Sequence, residues 1–477
     1  MEAPQTPPPD EDPIARERRR GRDKGIAGFG RRFVTPIYIG TTLNPVNSSV
    51  IATALVAIAA AMGVSVGETA ILVSVLYLTS AIAQPTAGRL AEEFGPRRVF
   101  LAGVVIVLIG SVIGGLAPDL TTLIVARVLI GLGTSAGYPS AMLLIRRRAT
   151  DVGLTSPPRH VLAGLSITGA ATIAIGPTLG GLLIGWFSWR AAFFVNIPFA
   201  LVTLVMGAIW IAKDPDRLSG RSFRDIAARI DVVGVIGFGC SMTALLTFLM
   251  SLPRPNWVLL AIAVAGTVAL ISWELRAGRP FLDVRLLVSN RPLTRTYIRS
   301  ALTLLGTYVT LYGITQWMQV VHDLSPFHAG LVLIPMGALT AISAGFVSRC
   351  RDDRKPLLLA AVLMLVGAVA MQFLADTSPI ILIVVVTAIF GLMTGASNVA
   401  NQSALYRQAP ASALGTASGL LRTFGHVGSV ASATITGIAF RVDVDDVGLH
   451  QISYILTGVG VVVLLMTAFD RRLSSLR

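Results

Sequence analysis

The sequence predicts an all-α polytopic membrane protein, two six-helix bundles with two extra helices between them, a six plus two plus six arrangement. Three observations predict it. Of 477 residues, 53% are hydrophobic and only 13% charged, a balance more apolar than water-soluble domains carry. The apolar runs approach the roughly 20 residues that a helix needs to cross about 30 Å of hydrocarbon, and lack the short alternation of barrel strands. Most of the 39 Lys and Arg residues fall in alternate connections between those runs, as retention of positive charge on one side requires.

Residues 1–33 are Pro-rich, then acidic, then basic, with neither an apolar run nor a small-residue cleavage site. They predict a disordered tail, with the first helix acting as an uncleaved insertion signal. Helices are predicted near 34–62, 69–88, 99–117, 120–145, 161–187 and 191–212, a first bundle over 34–212. A linker over 213–231, able at most to form a short amphipathic surface helix, leads to a hairpin over 232–273 with helices near 232–252 and 256–273. A second linker, 274–296, precedes helices near 297–321, 327–348, 357–375, 378–403, 411–440 and 450–469. These make a second bundle over 297–470, followed by a tail over 471–477.

With both termini in the cytoplasm, only Arg190, Arg254 and Arg441 lie on the outer side, while Arg127 and Arg422 fall inside predicted spans. This predicts a multi-pass protein of the cell inner membrane. Trp186, Trp189, Trp210, Trp257, Trp273 and Trp317 all fall near predicted helix ends, where an aromatic belt belongs. The net charge of +14 is spread over inner loops beside an anionic leaflet, so the partner it implies is membrane lipid and not nucleic acid. Oligomeric state is not legible. Cys240 and Cys350 have no metal-ligand spacing and read as unpaired thiols.

Exclusion narrows the function. The lysines, Lys24, Lys213 and Lys355, sit outside any phosphate-loop setting, which argues against ATP hydrolysis of that kind. No selectivity-filter motif or acidic ring appears in a span. What remains is a secondary transporter, with no enzyme chemistry, no cofactor or metal, and an ion gradient as its energy source.

The stretch "AIGPTLGGLL", 174–183, places Pro177 among glycines. Gly176 and Gly180 are four apart, as are Gly181 and Gly185, giving small-residue faces where another helix can approach closely. Pro177 withholds a backbone donor, a defect for which neighbouring helices and hydroxyls such as Thr172 can compensate. This Gly-Pro-x-x-Gly-Gly pattern resembles the fifth-helix motif of exporters in the major facilitator superfamily. "GRLAEEFGPRRVF", 88–100, resembles the loop signature of that superfamily through Gly88, Leu90, Gly95, Arg97 and Arg98. There the resemblance implies a charge network locking the inner gate, with Glu92 as the acid; Glu93 and Pro96 depart from the usual basic residues. "ARVLIGLGTSAG", 126–137, is similar to the fourth-helix motif, its arginine being Arg127. "SWRAAFFVNIP", "RPFLDVRLLVSNRPL", "SPFHAGLVLIPMG" and "GTASGLLRTFGHVGS" resemble the fourteen-helix drug:proton antiporters. The resemblance implies the major facilitator fold, each half built of inverted three-helix repeats. Gly345, Arg354 and Lys355 faintly echo Gly88, Arg97 and Arg98.

Ionisable groups within a span are functional candidates because they are costly there. Arg127 lies in the fourth helix; Arg422 and His426 are one turn apart on the thirteenth. No acid lies deep in any span: Glu68 and Glu274 are at helix ends, and the first helix offers Asn44 and Asn47, which do not titrate, where the family usually has an Asp. Proton coupling then falls to Glu68, to His426 or to nothing, with water and Arg127 completing the path. A cavity lined by Asn47, Gln84, Tyr312, Gln316, Gln319, Asn398, Asn401, Arg422 and His426, without a fixed negative charge, should favour neutral or anionic amphiphiles. The gating candidates are Gly88, Glu92, Gly95, Arg97, Arg98, Gly176, Pro177, Gly180 and Gly181. The expectation is export of small amphipathic molecules by alternating access in exchange for protons. The rivals are an uncoupled facilitator or importer on the same fold and a membrane sensor that binds without transport.

Overall fold

Helix follows helix along the whole of the described chain. The computed structural model describes residues 28–154, 158–215, 231–251, 255–278, 280–281, 284–350, 352–409 and 414–470. The greater part of the predicted tail, the amphipathic segment of the first linker and the tail after residue 470 lie outside them.

The spans of the first half are α1 (Arg31–Ser49 continued by Ile51–Met62), α2 (Ala70–Phe94), α3 (Pro96–Gly115), α4 (Leu120–Asp151), α5 (Arg159–Trp186) and α6 (Ala191–Trp210). The hairpin is α7 (Val232–Met250) and α8 (Trp257–Glu274). The second half comprises α9 (Arg291–Val309, a π-turn Thr310–Ile314, then Thr315–Val320), α10 (Pro326–Val347), α11 (Arg354–Met371), α12 (Ile380–Gln408), α13 (Leu414–Ala439) and α14 (Asp446–Ala468). Among the described residues nine of these are long and apolar enough to cross a membrane unbroken, and α1 makes a tenth as a pair bent by 49°. Several helices outrun their predicted ends. α2 reaches Phe94, α4 Asp151 and α12 Gln408, while α9 starts at Arg291. Hydropathy marks the hydrocarbon, but a helix continues where Arg and Glu heads can reach water.

The break in α1 has a local cause. Pro45 withholds a donor, and the hydroxyls of Ser48 and Ser49 turn back onto the carbonyls of Asn44 and Pro45 at 3.0 and 2.7 Å, contacts that bend helices. α5, by contrast, runs unbroken through Pro177. The Thr172 hydroxyl expected to compensate there donates instead to the carbonyl of Thr168, at 2.7 Å.

The halves share one packing scheme. α1 packs on α5 and α6, α2 and α3 on α4, and α3 on α6; α9 packs on α13 and α14, α10 and α11 on α12, and α11 on α14. Between the halves, α2 meets α13 and α5 meets α10, reciprocal contacts about a pseudo-two-fold axis. The hairpin helix α7 rests on α2 and α13. Its base is tied by Asp231, which accepts from Trp273 Nε1 and the Phe281 amide, both at 2.9 Å.

We call the end bearing Gly28 and Asp470 the basic end and the opposite one the far end. At the far end the halves share an apolar core, in which Val50, Leu55 and Leu72 join Val309, Ile314 and Ala433. At the basic end each half keeps its own: Ile37, Phe100, Leu144 and Ile145 in the first, Leu293, Tyr297, Leu405 and Leu420 in the second. α1 reaches α9 and α10 with its Ile51–Met62 segment, while α4 and α12 form no extended contact. The halves share one core at the far end and carry largely separate cores at the basic end, where Ile82 of α2 still packs on the second core and Arg422 reaches Tyr138 of α4.

Two of the six tryptophans, both still near helix ends, are buried within the protein. Trp317 is wholly buried, its indole N–H donating to Asp446 at 2.8 Å, and Trp189 is 5% exposed. A tryptophan whose N–H finds a partner can be buried outright.

The loop signature is held by an acid that the sequence reading did not single out. Gly95 has φ +99°, and a Cβ there would collide with Asp214. Asp214, at the basic end of α6, accepts from the amides of Arg97 (3.4 Å) and Arg98 (2.8 Å) and pairs with Arg147 at 3.0 Å. Glu92, expected to be the lock acid, is exposed. The buried Asp214 carboxylate answers the orphan N–H groups at the start of α3, and Glu92 makes a contact of its own. Asp214→Ala should therefore cost about 1–3 kcal/mol of stability, checked by thermal unfolding in detergent; an unchanged midpoint would refute this anchoring.

Candidate functional site

Where the two halves meet, aromatic and polar side chains from both converge. α2 contributes Tyr77 and Gln84, α9 contributes Tyr308 and Tyr312, and α13 contributes Arg422 and His426. Tyr308 and Tyr312 are four apart, so they share a face of α9, and their rings stack with centroids 5.7 Å apart. The Tyr77 ring lies 5.1 Å from Tyr308 and 5.6 Å from His426. The Tyr77 and Tyr312 hydroxyls are 3.1 Å apart, and Tyr312 donates to the Ser48 carbonyl at 2.9 Å. His426 Nε2 lies 3.0 Å from Gln84 Oε1; since an amide oxygen accepts, that nitrogen carries the hydrogen. The Arg422 guanidinium sits over the Tyr138 ring of α4, 3.5 Å from its centroid, and is in electrostatic reach of Tyr308, Tyr406 and His426.

This cluster has aromatic faces, one cation and an imidazole–amide pair. Such a surface can stack a planar apolar body while fixing a polar or anionic end, as small-molecule sites do. Among the described residues no group of His, Cys, Asp and Glu is arranged to hold a metal ion, and the two cysteines are unpaired.

Of the residues picked from sequence as lining the cavity, Gln84, Tyr312, Arg422 and His426 are brought together here. Others are not. Asn47 is turned into its own half, where it and Asn196 exchange amide hydrogen bonds of 2.7 and 3.1 Å. Asn401 accepts from Arg299 Nε at 3.0 Å. Buried amides are costly without partners, and both find them on neighbouring helices of the same half. Gln316 and Gln319 are buried in the last turns of α9, and Asn398 is exposed on α12.

Arg127 is 1% exposed, donating to the Leu72 carbonyl at 3.0 Å and, through both terminal nitrogens, to the Asn47 carbonyl at 3.4 Å. Glu68 stands apart. It is exposed in the far-end turn between α1 and α2, where it accepts from the Ser65 amide at 2.7 Å; that bond holds its carboxyl below the usual range. Its charge therefore persists across neutral pH and falls only in acid.

The glycine faces of α5 each meet a helix. A Cβ at Gly176 would strike Ser49, and one at Gly180 would strike Thr53 and Val50, all on α1. Gly181 faces Pro326 and Phe327 of α10; Gly330 of α10 returns the contact, a Cβ there lying 2.6 Å from the Pro177 carbonyl. Thr178 adds a hydrogen bond to the Gly330 carbonyl at 2.9 Å. The motif thus joins α5 to both halves at the far end. Gly88 packs ordinarily against Pro139 of α4.

Sequence reasoning passed over Tyr77, Tyr138 and Tyr308. Their signal was present: Tyr77 lies two turns from Gln84, and Tyr308 one turn from Tyr312. It also counted Arg299 among loop charges, although Arg299 and Asp470 are both fully buried and 3.7 Å apart.

A sequence model of the Major Facilitator Superfamily matches residues 37–433. The chain is 32% identical over 438 residues to the MFS-type transporter YwoD of Bacillus subtilis, itself uncharacterised, covering 91% of this chain and 95% of that one. It is 27% identical to the tetracenomycin C resistance and export protein of Streptomyces glaucescens, over 89% of this chain and 78% of that one. The crystal structure of the nucleoside transporter NupG superposes with a TM-score of 0.62 at 11% identity, covering 91% of this chain and 99% of that one, which speaks to fold alone. With the model matching most of its length, and two reciprocally packed halves around a polar seam, the chain belongs to the major facilitator superfamily of transporters.

Proposed function

We propose that this transporter exports small amphipathic molecules from the cytoplasm in exchange for protons, the basic end facing the cytoplasm of the cell inner membrane. One observation carries the reading: the aromatic and polar seam lies between halves that share a core on one side of it and have separate cores on the other. We read that as a site between halves able to part on the basic side, and rocking about it gives alternating access. The basic end takes the cytoplasmic side by the positive-inside rule. Export and drug-like cargo are supported by the tetracenomycin C exporter among the relatives.

Cargo rests on the faces of Tyr77, Tyr308 and Tyr312, with a neutral or anionic polar end toward Arg422. His426 is the proton carrier, because it is the titratable imidazole within the cluster and its partner Gln84 belongs to the opposite half. Taking or losing a proton there changes the bond joining α2 to α13. Glu68 is set aside, since it stands exposed in the far-end turn, outside the cluster.

Efflux driven by a pH gradient from proteoliposomes tests this. Glu68→Gln should retain wild-type coupling. His426→Ala should lose gradient-driven efflux yet keep cargo exchange at equal pH. Coupling lost in Glu68→Gln and kept in His426→Ala would reverse the assignment; wild type indifferent to the gradient would make the protein an uncoupled facilitator.

A further inference from the structure

We infer that a cavity of about 280 Å³ between the basic ends of α1, α4 and α6 is a site for the phosphate of an anionic lipid headgroup. It lies wholly in the first half, away from the seam, and the inference does not rest on the proposed transport reaction. At about 280 Å³ it falls below the roughly 300–1,000 Å³ of sites for drug-sized molecules.

Its charge selects the ligand. Arg32, Arg147 and Arg148 line it against a single lining carboxylate, Asp151. Arg147 is committed to Asp214, and Arg148 is positioned by an Nε bond to the Gly28 carbonyl at 2.9 Å and by the Phe33 ring, 5.9 Å away. Arg32 is exposed and extends from the first turn of α1. The start of α1 adds to this. Its N-cap is Gly30, which supplies no side chain, and no acidic residue stands in its first turn. Helical N–H groups without intrahelical partners, and the positive end of the helix dipole, therefore lie beside three guanidinium groups. Guanidinium forks match phosphate oxygens two at a time.

The other wall favours a lipid over free phosphate. Leu144, Ile211, Phe33 and Trp210 supply the large apolar side chains of the lining, and Trp210, 39% exposed, ends α6, where a tryptophan suits the boundary of headgroup and acyl chain. A lining that mixes guanidinium groups with apolar side chains fits a phosphodiester carrying glycerol and acyl carbon, and interhelical basic pockets are where anionic headgroups bind.

The test uses the full-length protein in a neutral detergent, titrated separately with short-chain phosphatidylglycerol, phosphatidylcholine and inorganic phosphate, and read by thermal unfolding. Phosphatidylglycerol should raise the midpoint at concentrations where the other two do not. Arg32→Gln should weaken its apparent affinity about tenfold, the loss of one charged hydrogen-bonding partner, and Arg148→Gln comparably. Arg291→Gln, which removes an equal charge from an exposed site in the other half, should leave the affinity unchanged. Equal stabilisation by phosphatidylcholine, or a wild-type response in both cavity variants, would overturn the site. A response to inorganic phosphate matching that to phosphatidylglycerol, with the same arginine dependence, would assign the phosphate chemistry to a soluble anion and overturn the lipid.

Discussion

Gly330→Leu is expected to cut transport by about fivefold or more while leaving the protein folded. The closed far end depends on α5 and α10 touching backbone to backbone. At Gly330 even a methyl group would lie 2.6 Å from the Pro177 carbonyl and 2.8 Å from the Thr178 Cα, neither of which is a flexible side-chain tip. Overpacking of this kind costs about 1–3 kcal/mol. That cost falls on the closed state alone, so the equilibrium between states shifts by about 5- to 150-fold. Gly345→Leu on the same helix is the control, because a Cβ there meets nothing within 4 Å. Spin labels on the α1–α2 and α9–α10 loops, in a background lacking Cys240 and Cys350, should report a longer distance in Gly330→Leu only. Wild-type transport with an unchanged distance would show that this contact does not hold the far end shut.

The second large effect concerns stability. Arg299 and Asp470 are each fully buried, their nearest charged atoms 3.7 Å apart. Arg299 also donates to Asn401 and Thr296, both at 3.0 Å, while Asp470 takes a further contact from Arg295 at 3.5 Å. Arg299→Met leaves the buried carboxylate only the longer contact with the half-exposed Arg295, which should cost about 3 kcal/mol. Adding Asp470→Asn removes the stranded charge and should recover more than half of the loss, since replacing both partners of a buried pair is often nearly neutral. Thermal unfolding of the single and double variants in detergent checks the cycle. A double variant no better than Arg299→Met would mean that the pair is not what Arg299 stabilises.

The helices were legible because their signal is local. Twenty apolar residues in a row need no partner to be recognised, and the charges between them set the topology. The glycine faces of α5 were legible for the same reason, since a four-residue spacing defines a face before anything packs on it. Side-chain pairing was not. Asn47, the Asn nearest to where an acid would be expected, looks like a cavity residue until Asn196, 149 positions later, claims its amide. Gln84 and His426 are 342 positions apart, and nothing in either local sequence announces the other. Asp214 was invisible as an anchor because two of its partners are backbone N–H groups, which leave no trace in residue identity, and the third, Arg147, is 67 positions away. Arg299 was misread because hydropathy assigns charges near a span end to water, whereas Asp470, at the other end of the bundle in sequence, lets it stay dry.

The interrupted first helix has a mechanical consequence. The carbonyls of Asn47 and Ser48 fall in the last turn before the break, where a helix runs out of its own donors. Arg127 of the first half takes one and Tyr312 of the second takes the next. Straightening that turn would move both oxygens at once, so the Arg127 contact within the first half and the Tyr312 contact across the seam answer to the same bend.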